Sequence, residues 1–332
     1  MKETIKWQDI MMTNMKKRFK TIAVILIAVA LITGTVITVN YFSDKSDSDN
    51  EPTNSETQAA ETVSATDNIL NPEDIEWNGD KFEALNNDGL VNILLIGQDR
   101  REGEGRQRSD AMILCSFNPE TNKLSMISFL RDLYVQIPGY EDNRLNAAYA
   151  YGGFELLKET LELNFGISVD GCLESDFEGF EKIIDTVGGV DIELTAKEAE
   201  IVGNGASEGL CTLNGKQALT YARIRKIDSD FQRTARQRKI MGAVFEKAKS
   251  YSLTELAMFF TKILPLMATD MTEDEMMALA LSFASSFRDI ETESFTVPAD
   301  GTYKIAMIRE MAVLVPDLYE IKKLIFEEYL PM

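Results

Sequence analysis

Histidine is missing from all 332 residues, and that absence removes whole classes of chemistry. Without imidazole there is no Ser-His-Asp or Cys-His nucleophile system and no histidine metal site. A general base must be a carboxylate, and a bound metal must be one that takes oxygen ligands, such as magnesium. Cysteine is scarce too, with Cys115, Cys172 and Cys211 making three, and their spacing matches no zinc pattern. Cys115 lies in the apolar run MILCSF and reads as a core residue, while a disulfide between Cys172 and Cys211 stays open. The third deficit is positive charge: 34 Lys and Arg face 54 Asp and Glu, a net of −20. Such acidity argues against nucleic acid as a partner, because phosphate is normally neutralised by a basic domain.

The few cations are concentrated. Lys216 to Lys239 holds eight basic side chains (Lys216, Arg223, Arg225, Lys226, Arg233, Arg236, Arg238, Lys239) against Asp228 and Asp230, a local net of +6. Five of the eight are Arg, whose planar fork grips phosphate or carboxylate oxygens in pairs. Charge runs of this kind ordinarily lie on solvated helix faces. The alternative reading is an anion site, and it needs support from elsewhere in the chain.

Thr21 to Val39 is an uncharged run of 19 residues, close to the roughly 20 that a helix needs to span hydrocarbon. Lys16, Lys17, Arg18 and Lys20 precede it, while Asp44, Asp47, Asp49 and Glu51 follow. The positive-inside rule then places residues 1–20 in the cytoplasm and the rest outside. A signal peptide is the competing reading, but the run is long and lacks a clean cleavage site. Residues 41–80 read as a disordered acidic linker, since Ser43 to Asp67 has no large apolar side chain to bury. Residues 81–332 are enough for one large domain with its own core.

Within that domain, short apolar runs at Val91–Gly97, Ala111–Phe117, Lys123–Phe129 and Leu133–Ile137 predict strands, the middle pair a hairpin across Asn118 to Asn122. Helices are expected at Asn146–Phe165 with a break at Gly152-Gly153, Asp176–Val187, Asn214–Ile224, Phe231–Ser250 capped by Asp230, Leu253–Leu266, Thr272–Phe287 and Val315–Leu330. Further strands fall at Gly189–Leu194 and near Glu293–Val297. Strands interleaved with helices imply an α/β domain, an α-β-α layered sandwich around a central mixed sheet, preceded by one transmembrane helix.

Loops at strand ends commonly carry the working residues of such folds. The loop QDRREGEGRQRSD brings Asp99, Arg100, Arg101, Arg106, Arg108 and Asp110 together among glycines. Two carboxylates bracketing an arginine-rich glycine loop suit a magnesium ion and a pyrophosphate bound together, although a mobile charged hairpin has the same composition. Arg131 and Asp132 stand side by side between two strands, where an unpaired charge is costly, and Arg144 precedes a helix.

QDRREGEGRQRSDAM, SFLRDLYV, RLNAAYAYGG, DFEGFEKIIDTVGGVDIEL, LNGKQALTYARIR and DSDFQRTARQRKI together resemble, in order and spacing, the LytR-CpsA-Psr family. The likeness covers about residues 90–245. It implies an enzyme that moves an anionic glycopolymer, such as teichoic acid or capsule, from a polyprenyl-pyrophosphate carrier onto the N-acetylmuramic acid hydroxyl of peptidoglycan at the cytoplasmic membrane. By the same resemblance Asp99 and Asp110 would seat magnesium, and Arg108, Arg131, Arg144, Arg223, Arg225, Arg233, Arg236 and Gln237 would grip the pyrophosphate. Asp99, Arg108, Arg131 and Asp132 are the catalytic candidates, with Asp99, Asp132 or Asp110 as base. Arg144 stands where the family usually has Lys, and Gln232 where it has Gly. Phe129, Phe154, Phe177, Phe180, Ile183, Ile184 and Met241 could line a channel for the prenyl tail, though core packing is the commoner use of such residues. Two other classes compete: a sensor or regulator that binds the lipid-linked precursor, and a lipid pyrophosphatase with water as acceptor.

Overall fold

Strand β1 (Val91–Gln98) is buried along its whole length, and its alternating side chains split the domain into two cores. Ile93 and Leu95 face one side, Leu94 and Ile96 the other. A strand covered on both faces reads as one continuous apolar run, which is why it was visible as VNILLIG. The computed structural model describes residues 68–82, 89–98, 106–225, 227, 229–272, 276 and 289–331. The expected transmembrane helix, the cytoplasmic segment, Asp99 and most of the helix anticipated at Thr272–Phe287 lie outside those residues. Among the described residues no helix is long and apolar enough to cross a membrane.

The chain continues through β2 (Ser109–Asn118), β3 (Lys123–Phe129), β4 (Tyr134–Val135), β5 (Asn143–Arg144), α1 (Leu145–Phe165), β6 (Gly171–Ser175), α2 (Phe177–Thr186) and β7 (Val190–Leu194). Then come α3 (Ala196–Val202), β8 (Gly209–Leu213), α4 (Gly215–Ala222), α5 (Asp230–Lys249), α6 (Leu253–Ile263), β9 (Ala268–Thr269), β10 (Glu291–Val297), β11 (Tyr303–Ile308), β12 (Met311–Pro316) and α7 (Leu318–Leu324). The central sheet has six strands in the order β10-β3-β2-β1-β6-β9. β2 and β3 form the expected antiparallel hairpin. The Asn118 side chain accepts from the Glu120 amide in its turn, the local bond that makes Asn a turn residue. β1 pairs parallel with β6, and β3 parallel with β10. With β2 antiparallel to both β1 and β3, the carboxyl ends of β1, β3, β6 and β10 share one edge.

Helices cover both faces. α2, α4, α5 and α6 pack on the side of Ile93, with Phe180, Ile184, Tyr221 and Phe245 at the centre. α1 and α7 pack on the side of Leu94, with Leu157, Phe165, Ile321 and Phe326. This is the α-β-α sandwich around a mixed sheet. The division also bears on two open readings. Cys172 points into the α1 core while Cys211 packs against the opposite one, and both are free thiols, so there is no Cys172–Cys211 bridge. The seven residues considered for one prenyl channel are divided by the sheet as well: Phe129 and Phe154 lie on the α1 side, Phe177, Phe180, Ile183, Ile184 and Met241 on the other.

Three boundaries differ from expectation. Residues 68–82 are packed rather than part of a linker reaching residue 80: Leu70 bonds to the Met307 carbonyl, Asn78 to Asp317, and Trp77 stacks on Tyr134. The helix expected at Val315–Leu330 begins only at Leu318, because Tyr303–Ile308 and Met311–Pro316 pair as an antiparallel hairpin. α5 starts at Asp230 itself, with Ser229 in the capping position.

Candidate active site

The carboxyl edge of the sheet collects the charged residues. Gln98, the last residue of β1, is fully buried and donates from its amide to the Gln107 carbonyl, closing the neck of the loop between β1 and β2. Asp110 follows at the start of β2 with its side chain only 8% exposed. Arg131 reaches it from the turn after β3, Nη1 to Oδ1 at 2.7 Å. Arg225 reaches the other oxygen from the end of the α4 segment, Nη2 to Oδ2 at 3.6 Å. Arg131 also turns its Nε toward Asp132 at 3.5 Å, and Arg144, at the start of α1, approaches Asp132 at 3.3 Å.

Arg225, Asp110, Arg131, Asp132 and Arg144 thus form one alternating row drawn from four segments of the chain. Three guanidinium groups against two carboxylates leave the row positive. Arg225 is 43% exposed and only loosely paired, so its donors are open to an incoming anion, and the fork suits phosphate oxygens. Arg108 stands exposed beside the row's Asp110 strand. Arg223 is half-buried, with its guanidinium 4.8 Å from the Phe177 ring centre at the start of α2.

The basic tract divides by task. Lys216 and Lys239 are exposed and fit the solvated-face reading, and Lys226 lies outside the described residues. Arg233 is 1% exposed, and Gln237, one turn on, is buried beside it on the same helix face. Arg236 pairs with Glu198 of α3. Its Nε donates to Glu198 at 2.7 Å, its Nη1 to the Ile224 carbonyl at 3.1 Å, and it lies over the Tyr221 ring. These contacts tie α3 to α5. Glu198 is held below the usual carboxylate range: burial pushes it up, but bonds from Thr195 and Arg236 outweigh that.

Two features had no counterpart in the sequence reading. Tyr149 of α1 donates its hydroxyl to Glu174, a buried carboxylate at the end of β6, and Arg106 lies 5.7 Å over the Tyr149 ring. An acid at the carboxyl end of the apolar run GCLES was the available signal. The second is the β11–β12 hairpin, which braces the row from outside: Arg144 donates to the Ala312 carbonyl at 2.6 Å, and the Leu314 amide to the Asp132 carbonyl at 2.9 Å.

Guanidinium groups gathered over carboxylates where parallel strands end mark an α/β protein whose sheet edge carries a charged site suited to an anion. Comparison with known proteins narrows the class. The model of the LytR_cpsA_psr family matches residues 37–323. A polyisoprenyl-teichoic acid–peptidoglycan teichoic acid transferase, TagU, of Bacillus mycoides (strain KBAB4) is 34% identical over 249 residues, 72% of this chain and 80% of the relative. The regulatory protein MsrR of Staphylococcus aureus (strain COL) is 33% identical over 224 residues, 66% of this chain and 68% of the relative. Among solved structures, TagT bound to LIIa-WTA superposes with a TM-score of 0.60 at 27% identity, covering 74% of this chain and 92% of that one. The chain belongs to the LytR_cpsA_psr family.

Proposed function

We propose that this protein is a phosphotransferase that moves an anionic glycopolymer, teichoic acid, capsule or similar, from a polyprenyl-pyrophosphate carrier to the N-acetylmuramic acid hydroxyl of peptidoglycan. The observation that carries the proposal is the meeting of Arg131 and Arg225 on Asp110, at the sheet edge of a chain whose relatives include a teichoic acid transferase. Phosphoryl transfer asks the protein mainly to position groups and to offset charge on non-bridging oxygens. Arg131, Arg225 and Arg144 supply that charge from the row, and Arg108, Arg223 and Arg233 are the further candidates. The acceptor hydroxyl oxygen bonds to the phosphorus that carries the sugar, the bond from that phosphorus to the bridging oxygen breaks, and polyprenyl monophosphate leaves.

The hydroxyl proton passes to a carboxylate. Asp132, oriented by Arg131 and Arg144, is one candidate, and Asp110 and Asp99 are the others. Magnesium fits the donors: Asp110 offers a hard oxygen whose pairing with Arg225 is loose, and magnesium is commonly held by one or two carboxylates plus substrate phosphates. Asp110 and Asp99 would hold the ion, and when bound it would offset charge on the pyrophosphate.

Residues 1–20 are assigned to the cytoplasm, 21–40 to a membrane anchor and the domain beyond to the outer face, where carrier and wall meet. The relative named as a regulatory protein favours a second reading, in which the same site binds the lipid-linked precursor without turnover. The full chain in detergent, supplied with a short-chain lipid-linked donor and peptidoglycan glycan strands, separates the readings. Acceptor-dependent transfer with release of prenyl monophosphate is expected. Equal release without acceptor indicates a pyrophosphatase, and tight binding without turnover a sensor.

A further inference from the structure

Beyond the Arg144 end of the row lies a pair of exposed aromatic rings with no role in the phosphate chemistry. Tyr140 is 53% exposed and Tyr151 41%; their rings stack with centres 4.9 Å apart and planes 21° from parallel. Two tyrosines left in water cost the fold apolar exposure without benefit to its core, and a rimmed aromatic patch marks a binding surface. The pair is also built to stay in place. Ile137, Pro138, Gly139 and Tyr140 form a turn closed by the Tyr140 amide on the Ile137 carbonyl at 3.0 Å. Gly139 has φ +75°, as a type II turn with Pro before Gly requires. Tyr151 sits on α1, and its hydroxyl accepts from the Asn143 side chain at 3.0 Å.

Asn143 is the neighbour of Arg144, whose Nε lies 3.3 Å from Asp132, so the Asn143 bond ties the Tyr151 hydroxyl to the segment that carries the end of the row. Around them are Glu141, Asp142 and Arg309. Arg309 donates to the Glu141 carboxylate at 2.9 Å and the Asp142 carbonyl at 3.2 Å from the tip of the β11–β12 hairpin. Two carboxylates and one cation leave this patch negative, opposite in sign to the row.

We infer that Tyr140 and Tyr151 form an acceptor subsite that stacks the sugar rings of a peptidoglycan glycan strand beside Asp132. The proposal rests on the transferase reading. Pyranose rings present C–H bonds to the negative faces of aromatic rings, and flanking amide, carboxylate and guanidinium groups can bond their hydroxyl and acetamido substituents. Charge selects between the two glycans of the reaction. A donor polymer with a phosphate at every repeat is repelled by Glu141 and Asp142 and attracted by the arginines, whereas a peptidoglycan strand alternates neutral N-acetylglucosamine with singly charged muramic acid and meets less opposition. The acceptor therefore approaches past Arg144, the donor past Arg225.

The test uses the full chain carrying Tyr140→Ala, Tyr151→Ala or both, with Tyr151→Phe as the conservative change that keeps the ring. Sedimentation with purified glycan strands reads the subsite directly, and transfer kinetics read its use. The expected result is about tenfold weaker strand binding for each alanine variant, a matching rise in acceptor KM, unchanged affinity for geranyl pyrophosphate, and retention of binding by Tyr151→Phe. Strand binding equal to wild type in the double alanine variant overturns the subsite. Should wild type fail to transfer yet bind strands through these rings, the subsite stands and the transferase reading falls.

Discussion

Arg131 touches both carboxylates of the row, so its shape matters as much as its charge. Lysine keeps the charge but cannot span Asp110 and Asp132. Arg131→Lys is therefore expected to lose much of the transfer rate, and Arg131→Ala about 100-fold in kcat or more, measured as acceptor-dependent release of prenyl monophosphate. The buried pair Arg236–Glu198 behaves differently. Removing the guanidinium leaves a buried carboxylate alone, and Arg236→Met is expected to cost about 3–5 kcal/mol of stability, read by chemical denaturation. Because folding depresses the Glu198 carboxyl, its contribution is complete above the ordinary glutamate range and drains as pH falls below about 4.5. Glu198→Gln should flatten that acid limb of the stability curve. Arg131 and Arg225 were legible because charges at the junctions of apolar runs must find partners. The Arg236–Glu198 pair was not, because Glu198 sits on a seven-residue helix, Ala196–Val202, that leaves little periodic trace in the sequence.

At the scale of elements, glycines fix two close approaches. Gly153 breaks α1 with φ +69° and ψ −146°, a region costly to any residue with a Cβ. A methyl there would also meet the Arg106 guanidinium at 2.7 Å. Gly153→Ala should cost about 1–3 kcal/mol and shift Arg106 from its place over Tyr149. Gly215 opens α4, where a methyl would lie 2.3 Å from the Glu181 carbonyl oxygen of α2. Backbone cannot yield as a side chain does, so Gly215→Ala is expected to lower the Tm by forcing α2 and α4 apart. The break at Gly152-Gly153 was readable from composition, whereas the approach at Gly215 depends on a helix distant in sequence. The β11–β12 hairpin escaped notice for a related reason: its turn uses Arg309 and Glu310 at positive φ in place of glycine, so no turn signal marked it, and the apolar residues of β12 read as the start of the following helix.

Across the whole molecule, one sheet buried on both faces organises everything else. Its continuous apolar run was plain in VNILLIG and pointed both to the sandwich and to the location of the working loops. Which residues lie on which face was not readable, and for that reason the disulfide stayed open and the seven apolar residues could not be divided between the two cores. With Cys172 and Cys211 in opposite cores, the Tm should be the same with and without reductant. The account depends above all on Arg131 and Arg225 sharing one anion. Titration of the full chain with geranyl pyrophosphate, for wild type and for Arg131→Ala and Arg225→Ala, measures this directly. The account predicts that each change weakens binding at least about tenfold, as loss of a charge-assisted pair of bonds should, and that the double variant binds no more tightly than either. Affinity unchanged in both single variants would contradict it.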